Sequence, residues 1–110
     1  MLPRTERSRG WSLGGDGGSI GVRMPDHPVA IDLLEQTGPL AVTSANRSGE
    51  PPADDREALV AIFGDRVAVY VTAGEPLGHV ASTVVDLTST EPVILRRGDV
   101  DPARVLDLVG

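Results

Sequence analysis

The chain has no cysteine, which removes disulfides, thiol catalysis and thiolate metal sites at once. It has no lysine either, because all ten basic residues are arginine. No Schiff base, lysine general base or P-loop lysine can arise from it. A bound anion must be held by arginine, hydroxyls, backbone N–H groups or a metal. Aromatic residues are limited to Trp11, Phe63 and Tyr70, so a core must be built from Val, Leu, Ile and Ala. No apolar run is long enough to span a bilayer and no secretory signal pattern is seen, so a cytoplasmic location is expected. Positive charge is also in deficit: the net charge is −6 and the pI about 4.7, which argues against direct binding of nucleic acid.

What is present, 110 residues of ordinary hydrophobicity, suits one small folded domain. Residues 1–18 are rich in Arg and Gly and lack an apolar period, which predicts a flexible amino-terminal segment with the domain proper over 19–110. From Ser19 to Met24 the pattern alternates, with Ile20, Val22 and Met24 on one side and Ser19, Gly21 and Arg23 on the other. A helix is predicted from Asp26-His27-Pro28, where Asp26 or His27 can cap, to a stop at Gly38-Pro39. His27 is read as a structural residue at that helix start. Residues 54–64 form the next helix, with Asp54 and Glu57 at capping-box spacing and the pair Asp54/Asp55 serving the helix dipole rather than a metal. RVAVYVT (66–72), ASTVVDLT (81–88) and VILRR (93–97) read as strands, and Asp101-Pro102 opens a last helix. His79 stands alone in a loop and is given no role.

The predicted order is β-α-β-α-β-β-β-α. It implies an α/β (α+β) protein with a mixed, twisted β-sheet and flanking helices, some strands pairing antiparallel across short connections. The organising stretch is PLAVTSANRSGEPP (39–52). Its apolar start (Leu40, Ala41, Val42) turns directly into Thr43, Ser44, Asn46, Ser48 and Gly49, a polar ledge at a strand's carboxyl end. Open α/β sheets place their ligands there. Ser19 with Arg23, the ledge, and Ser82 with Arg96 offer hydroxyls, amides and guanidinium forks but no strong general base. Such groups bind carboxylates or phosphates and act by positioning. There is no zinc motif, Walker A loop, GxGxxG or Ser–His–Asp order. No catalytic acid or base is identified, and no metal ligands.

The words GVRMPDHP, PLAVTSANRSGEPP, STVVDLT and ILRRG follow one another from about Ser19 to Gly98. In that order and at those separations they resemble the Sua5/YciO/YrdC family of threonylcarbamoyl-AMP synthases. The combination is specific, although any one word would be weak. The resemblance implies a YrdC/RibB-like fold. It also implies synthesis of threonylcarbamoyl-AMP from L-threonine, bicarbonate and ATP with release of pyrophosphate, Mg²⁺ accompanying the ATP. The product serves threonylcarbamoylation of adenosine 37 in tRNA. Carried over by motif, Arg23, Ser44 and Ser82 contact threonine, while Ser19, Asn46 and Arg96 contact ATP or the adenylate. Asp54 falls where many members place a nucleotide-touching Thr or Ser.

The family's domain is roughly twice as long, and its amino-terminal half carries a Lys-x-Arg motif that this lysine-free chain lacks. The expectation is an incomplete domain, the carboxyl-terminal part of a synthase, with impaired activity alone and the missing half or other tRNA-modification proteins as partners. Strands left as edges would favour self-association. The alternative is a noncatalytic nucleotide- or RNA-binding module derived from the same domain, double-stranded RNA being the ligand linked to its relatives. An adenylate transferase of the hydrogenase-maturation type is a neighbouring option, though those proteins carry further domains.

Overall fold

The computed structural model describes residues 1–15, 17–75, 78 and 80–110. The protein belongs to the mixed α/β class expected, with helices and small antiparallel sheets. Its contacts divide it into two compact units, Met1–Pro25 with Val80–Gly110, and Asp26–His79.

In the first unit, β1 (Leu2–Pro3) pairs antiparallel with β2 (Ser19–Ile20), and Arg4 N–H donates to Gly18 O at 3.2 Å. Met1 bonds the other way. Its terminal ammonium donates to Val85 O at 2.5 Å, and its carbonyl accepts from Leu87 N–H at 2.9 Å. One residue thereby links the edge of β3 (Val84–Asp86) to the chain entering β1. Between β1 and β2 lies the short helix α1 (Glu6–Arg9). The Ser8 hydroxyl accepts from Thr5 N–H and donates to Thr5 O, and one terminal nitrogen of Arg4 donates to both Ser8 O and Trp11 O at 2.6 Å. Residues 1–18, read from the sequence as a flexible segment, thus contain two elements, and the compact unit that holds them runs past residue 18.

The hairpin of β3 and β4 (Val93–Arg96) completes the strands of this unit. Val84 pairs with Arg96 and Val85 with Ile94, so Leu95 is bulged out of register beside Arg96. A side-chain Asx turn ends β3, as Thr88 N–H donates to Asp86 Oδ1 at 3.0 Å. Helix α4 (Pro102–Val109) starts where expected, with Pro102 in its first turn and the Asp101 carboxylate accepting from Ala103 N–H at 3.0 Å.

The second unit contains helices α2 (Pro28–Thr37) and α3 (Arg56–Phe63) and a 3₁₀ turn over Gly64–Arg66. His27 caps α2 through Nδ1, which accepts from Val29 N–H at 3.3 Å. The helix ends at Gly38, whose φ of 73° lies in the left-handed region that side chains resist. The cap of α3 differs from the expected one. Asp55, not Asp54, accepts from Ala58 N–H at 2.8 Å, because extended backbone at residue 55 (φ −134°, ψ 168°) lays its carboxylate over the first turn.

Two predicted strands are absent. Neither 40–42 nor 66–72 joins a ladder, and β2 ends at Ile20 rather than at Met24. A β-branched sequence favours extended backbone, but a strand exists only with a hydrogen-bonding neighbour. The same shortage shows in the packing. No hydrophobic side chain among the described residues is buried; Ser8 alone is. Val42 stands 86% exposed and Val69 73%. Two-stranded pieces cover too little apolar surface to close a core. Among the described residues the paired strands form two separate two-stranded antiparallel sheets.

Candidate functional site

In the first unit the site begins with a lacing of residues 81–83 to 96–100. Arg96 Nε donates to Ser82 O at 2.9 Å. Asp99 N–H donates to Ala81 O at 2.9 Å, and Gly98 N–H donates to the Thr83 hydroxyl at 2.9 Å. The same hydroxyl donates to Val100 O. The two backbones approach so closely that a β-carbon on Gly98 would collide with Ala81 O and the Ser82 carbonyl carbon. Glycine is required by contact rather than by dihedral angle. Ser82 contributes its carbonyl to this lacing, and its hydroxyl makes no hydrogen bond among the described residues. The terminal nitrogens of Arg96 are likewise without a partner there. Ser82 and Arg96, paired from the sequence, are therefore brought together.

Ser19 lies in β2 opposite Pro3 and is half-buried. Arg23 follows the end of that strand, is exposed, and makes no hydrogen bond or ion pair among the described residues. A β-carbon built on Gly21 would stand 3.5 Å from the Met1 sulfur, an ordinary contact.

In the second unit the ledge is a closed loop. Ala53 N–H donates to Ala45 O at 2.9 Å and Glu50 N–H to Arg47 O at 3.0 Å, so residues 45 and 53 form its neck. Within it Asn46 Nδ2 donates to Arg47 O at 2.8 Å, while the buried Asn46 Oδ1 has no partner. An unpaired buried acceptor costs about 1–3 kcal/mol unless a ligand supplies a donor. Thr43 and Ser44 edge a groove of 330 Å³ whose other walls include Leu59, Phe63, Val67 and Tyr70. The Tyr70 hydroxyl donates to Gly64 O at 2.5 Å, which fixes the ring along that wall. The groove is apolar with hydroxyls along one margin, a lining suited to a flat, partly polar ligand. Asp54 adjoins the cap residue and does not itself cap α3.

Among the described residues no group of three His, Cys, Asp or Glu side chains could hold a metal ion, and no helix is long and apolar enough to cross a membrane. His79 lies outside the described residues, as do Asp16, Pro76 and Leu77. Thr83 and Gly98 were not singled out from the sequence as site residues. Their signal was there, since both fall inside the STVVD and LRRG words, but their hydrogen-bonding partners lie 15 or more residues away.

The chain resembles proteins already known. It matches the Sua5/YciO/YrdC family, described as "Telomere recombination", over residues 2–98, and it belongs to that family. It is 48% identical over 100 residues to a Mycobacterium tuberculosis H37Rv protein named "Putative threonylcarbamoyl-AMP synthase", covering 91% of this chain and 46% of that one. A Mycobacterium leprae protein of the same name is 47% identical over 103 residues, 94% of this chain and 47% of the relative. The threonylcarbamoyl-AMP synthase of Bacillus subtilis is 34% identical over 93 residues, 84% of this chain and 27% of the relative. The chain spans about half the length, or less, of these relatives. No solved structure matches it.

Proposed function

We propose that this chain is the carboxyl-terminal part of a threonylcarbamoyl-AMP synthase and that it contributes threonine and adenylate contacts to that reaction. The observation that carries the proposal is the 48% identity over 100 residues to the mycobacterial relative. The junction of Ser82 and Arg96 supports it within the first unit.

The proposed chemistry transfers an adenylyl group. The threonine amine is first carboxylated by bicarbonate with loss of water. An oxygen of the resulting carbamate then bonds to the α-phosphorus of ATP, the bond from that phosphorus to the α,β-bridging oxygen breaks, and pyrophosphate carries the electron pair away. Negative charge gathers on phosphate oxygens at that moment, and donors fixed beforehand stabilise it. Arg96 and Asn46, with Ser19, hold the adenylate in this reading, and Asp54 touches the nucleotide. Arg23, Ser44 and Ser82 hold threonine. The unpaired Asn46 Oδ1 supplies an acceptor for a ligand N–H. Mg²⁺ enters with ATP as part of the substrate.

The chain spans 46% of the mycobacterial relative, and phosphate contacts supplied elsewhere in such a domain are needed as well. Activity of this chain alone is therefore impaired. The substrates L-threonine, bicarbonate and ATP, a cytoplasmic location and a place in tRNA threonylcarbamoylation all follow from the same proposal. Direct RNA binding is disfavoured by the net charge of −6. A noncatalytic nucleotide-binding module is the second reading, supported by the buried Asn46 Oδ1 left open to a ligand donor.

Calorimetric titration with ATP, then with threonine and bicarbonate in the presence of ATP, tests the proposal. Heat from ATP with pyrophosphate release supports the enzyme. Heat without release, also when the other part of the synthase domain is added, supports the binding module. Silence from both ligands overturns both readings for this chain.

A further inference from the structure

We infer that Thr83 is a positioning residue that aims the Arg96 guanidinium. The inference rests on the reading of Ser82 and Arg96 as ligand groups, and it adds a residue which that reading leaves out.

A hydroxyl has one proton to give and lone pairs to accept with. Thr83 uses both capacities, donating to Val100 O and accepting from Gly98 N–H at 2.9 Å. Together with Asp99 N–H on Ala81 O, these bonds fix residues 81–83 against 98–100 at a separation that excludes even a β-carbon at Gly98. Ser82 sits in the middle of that fixed segment. Its carbonyl accepts from Arg96 Nε, and a guanidinium is planar, so one bond at Nε sets the plane of the two terminal nitrogens. The bulge at Leu95 displaces the strand just before Arg96, a local distortion of the sort that re-aims a side chain. The chain of control runs from the Thr83 hydroxyl to the 81–83 backbone, to the Ser82 carbonyl, to the Arg96 fork. The fork then meets an anion in one orientation with little entropy left to lose.

The test uses the full ¹⁵N-labelled chain as wild type, Thr83→Val, which keeps the shape and loses both hydrogen bonds, and Thr83→Ser, which keeps the hydroxyl. The Arg96 Nε–H resonance is assigned by its disappearance in Arg96→Lys. Its hydrogen exchange is measured, and ATP and inorganic pyrophosphate are titrated separately. In the wild type the resonance exchanges slowly and shifts on addition of ATP. In Thr83→Val exchange speeds up by about tenfold or more and ATP affinity falls about tenfold, the effect of losing roughly one hydrogen bond. Thr83→Ser stays within about twofold of wild type in both. Wild-type exchange and affinity in Thr83→Val overturn the inference, and so does Thr83→Ser behaving like Thr83→Val. Should Thr83→Val fail to fold, Thr83→Ser and the wild-type exchange rate still decide. A protected resonance that responds to neither ATP nor pyrophosphate overturns the adenylate reading while leaving the Thr83 linkage to Arg96 standing.

Discussion

Gly98 and Ala81 are in backbone contact: a β-carbon built on Gly98 would collide with the Ala81 carbonyl oxygen. The contact ties the end of β4 to the segment entering β3, and it accounts for the glycine in LRRG without appeal to an unusual dihedral angle. Gly98→Ala must push the two backbones apart. The expected loss is about 1–3 kcal/mol, the usual scale for overpacking. Urea melts of Gly98→Ala and of Gly10→Ala check it, because nothing lies within 4 Å of a β-carbon at Gly10. The first variant melts at lower urea, and the second shifts by less than about 0.5 kcal/mol.

The two neighbouring aspartates at the start of α3 separate by role. Asp55→Ala removes the carboxylate that accepts from Ala58 N–H and lowers stability by about 1 kcal/mol. Asp54→Ala leaves the helix cap in place. If Asp54 touches the nucleotide, the second variant weakens ATP binding while the Asp55 cap on Ala58 N–H remains. Circular-dichroism melts and ATP calorimetry on both variants measure the two effects separately.

Acid stability has a defined sign at Asp86. The backbone N–H of Thr88, and then its side chain, hold the Asp86 carboxyl below its ordinary value. A carboxylate whose folded pKa is depressed stabilises the fold above its unfolded pKa of about 3.9, and that contribution fades as pH falls through the lower folded value. Melting temperatures of wild type and Asp86→Asn between about pH 2 and 6 therefore converge at the acid end. Wild type holds its advantage at the upper end. Equal pH dependence of the two proteins would contradict the assignment.

Exposed β-branched sequence without a ladder invites pairing with another chain. Val67, Val69 and Val71 all stand exposed in a segment that carries no strand. The chain is expected to self-associate as its concentration rises, and Val69→Lys to shift the population toward monomer. Sedimentation velocity across a hundredfold concentration range reads the outcome. A wild-type chain that stays monomeric and melts cooperatively would overturn the expectation, along with the incomplete-domain reading behind it.

Arg96→Lys keeps a positive charge but replaces the planar fork and its Nε–H with a point charge. Ser82 O then loses its donor, and ATP affinity falls about tenfold or more in calorimetry. Retained affinity would show that charge alone, rather than an aimed fork, is what the ligand meets.

Helix limits were legible along the chain because their causes are local. Pro28, Pro102, Gly38 and Gly64 act within one turn of themselves, and α2, α3 and α4 begin and end close to where those residues place them. The cap of α3 was misplaced by one residue, since backbone extension at Asp55, invisible in composition, decides which carboxylate reaches Ala58 N–H. The motif words carried the family, because each word preserves an identity rather than a shape. Strands were the least legible. RVAVYVT has the alternation of a strand and forms none, as its existence depends on a neighbour that alternation cannot supply. The pairing of Ser82 O with Arg96, the double use of the Thr83 hydroxyl and the need for glycine at 98 were decided only in three dimensions. Each depends on two segments 14 or more residues apart meeting at hydrogen-bond distance, and that meeting is a property of the packed backbone.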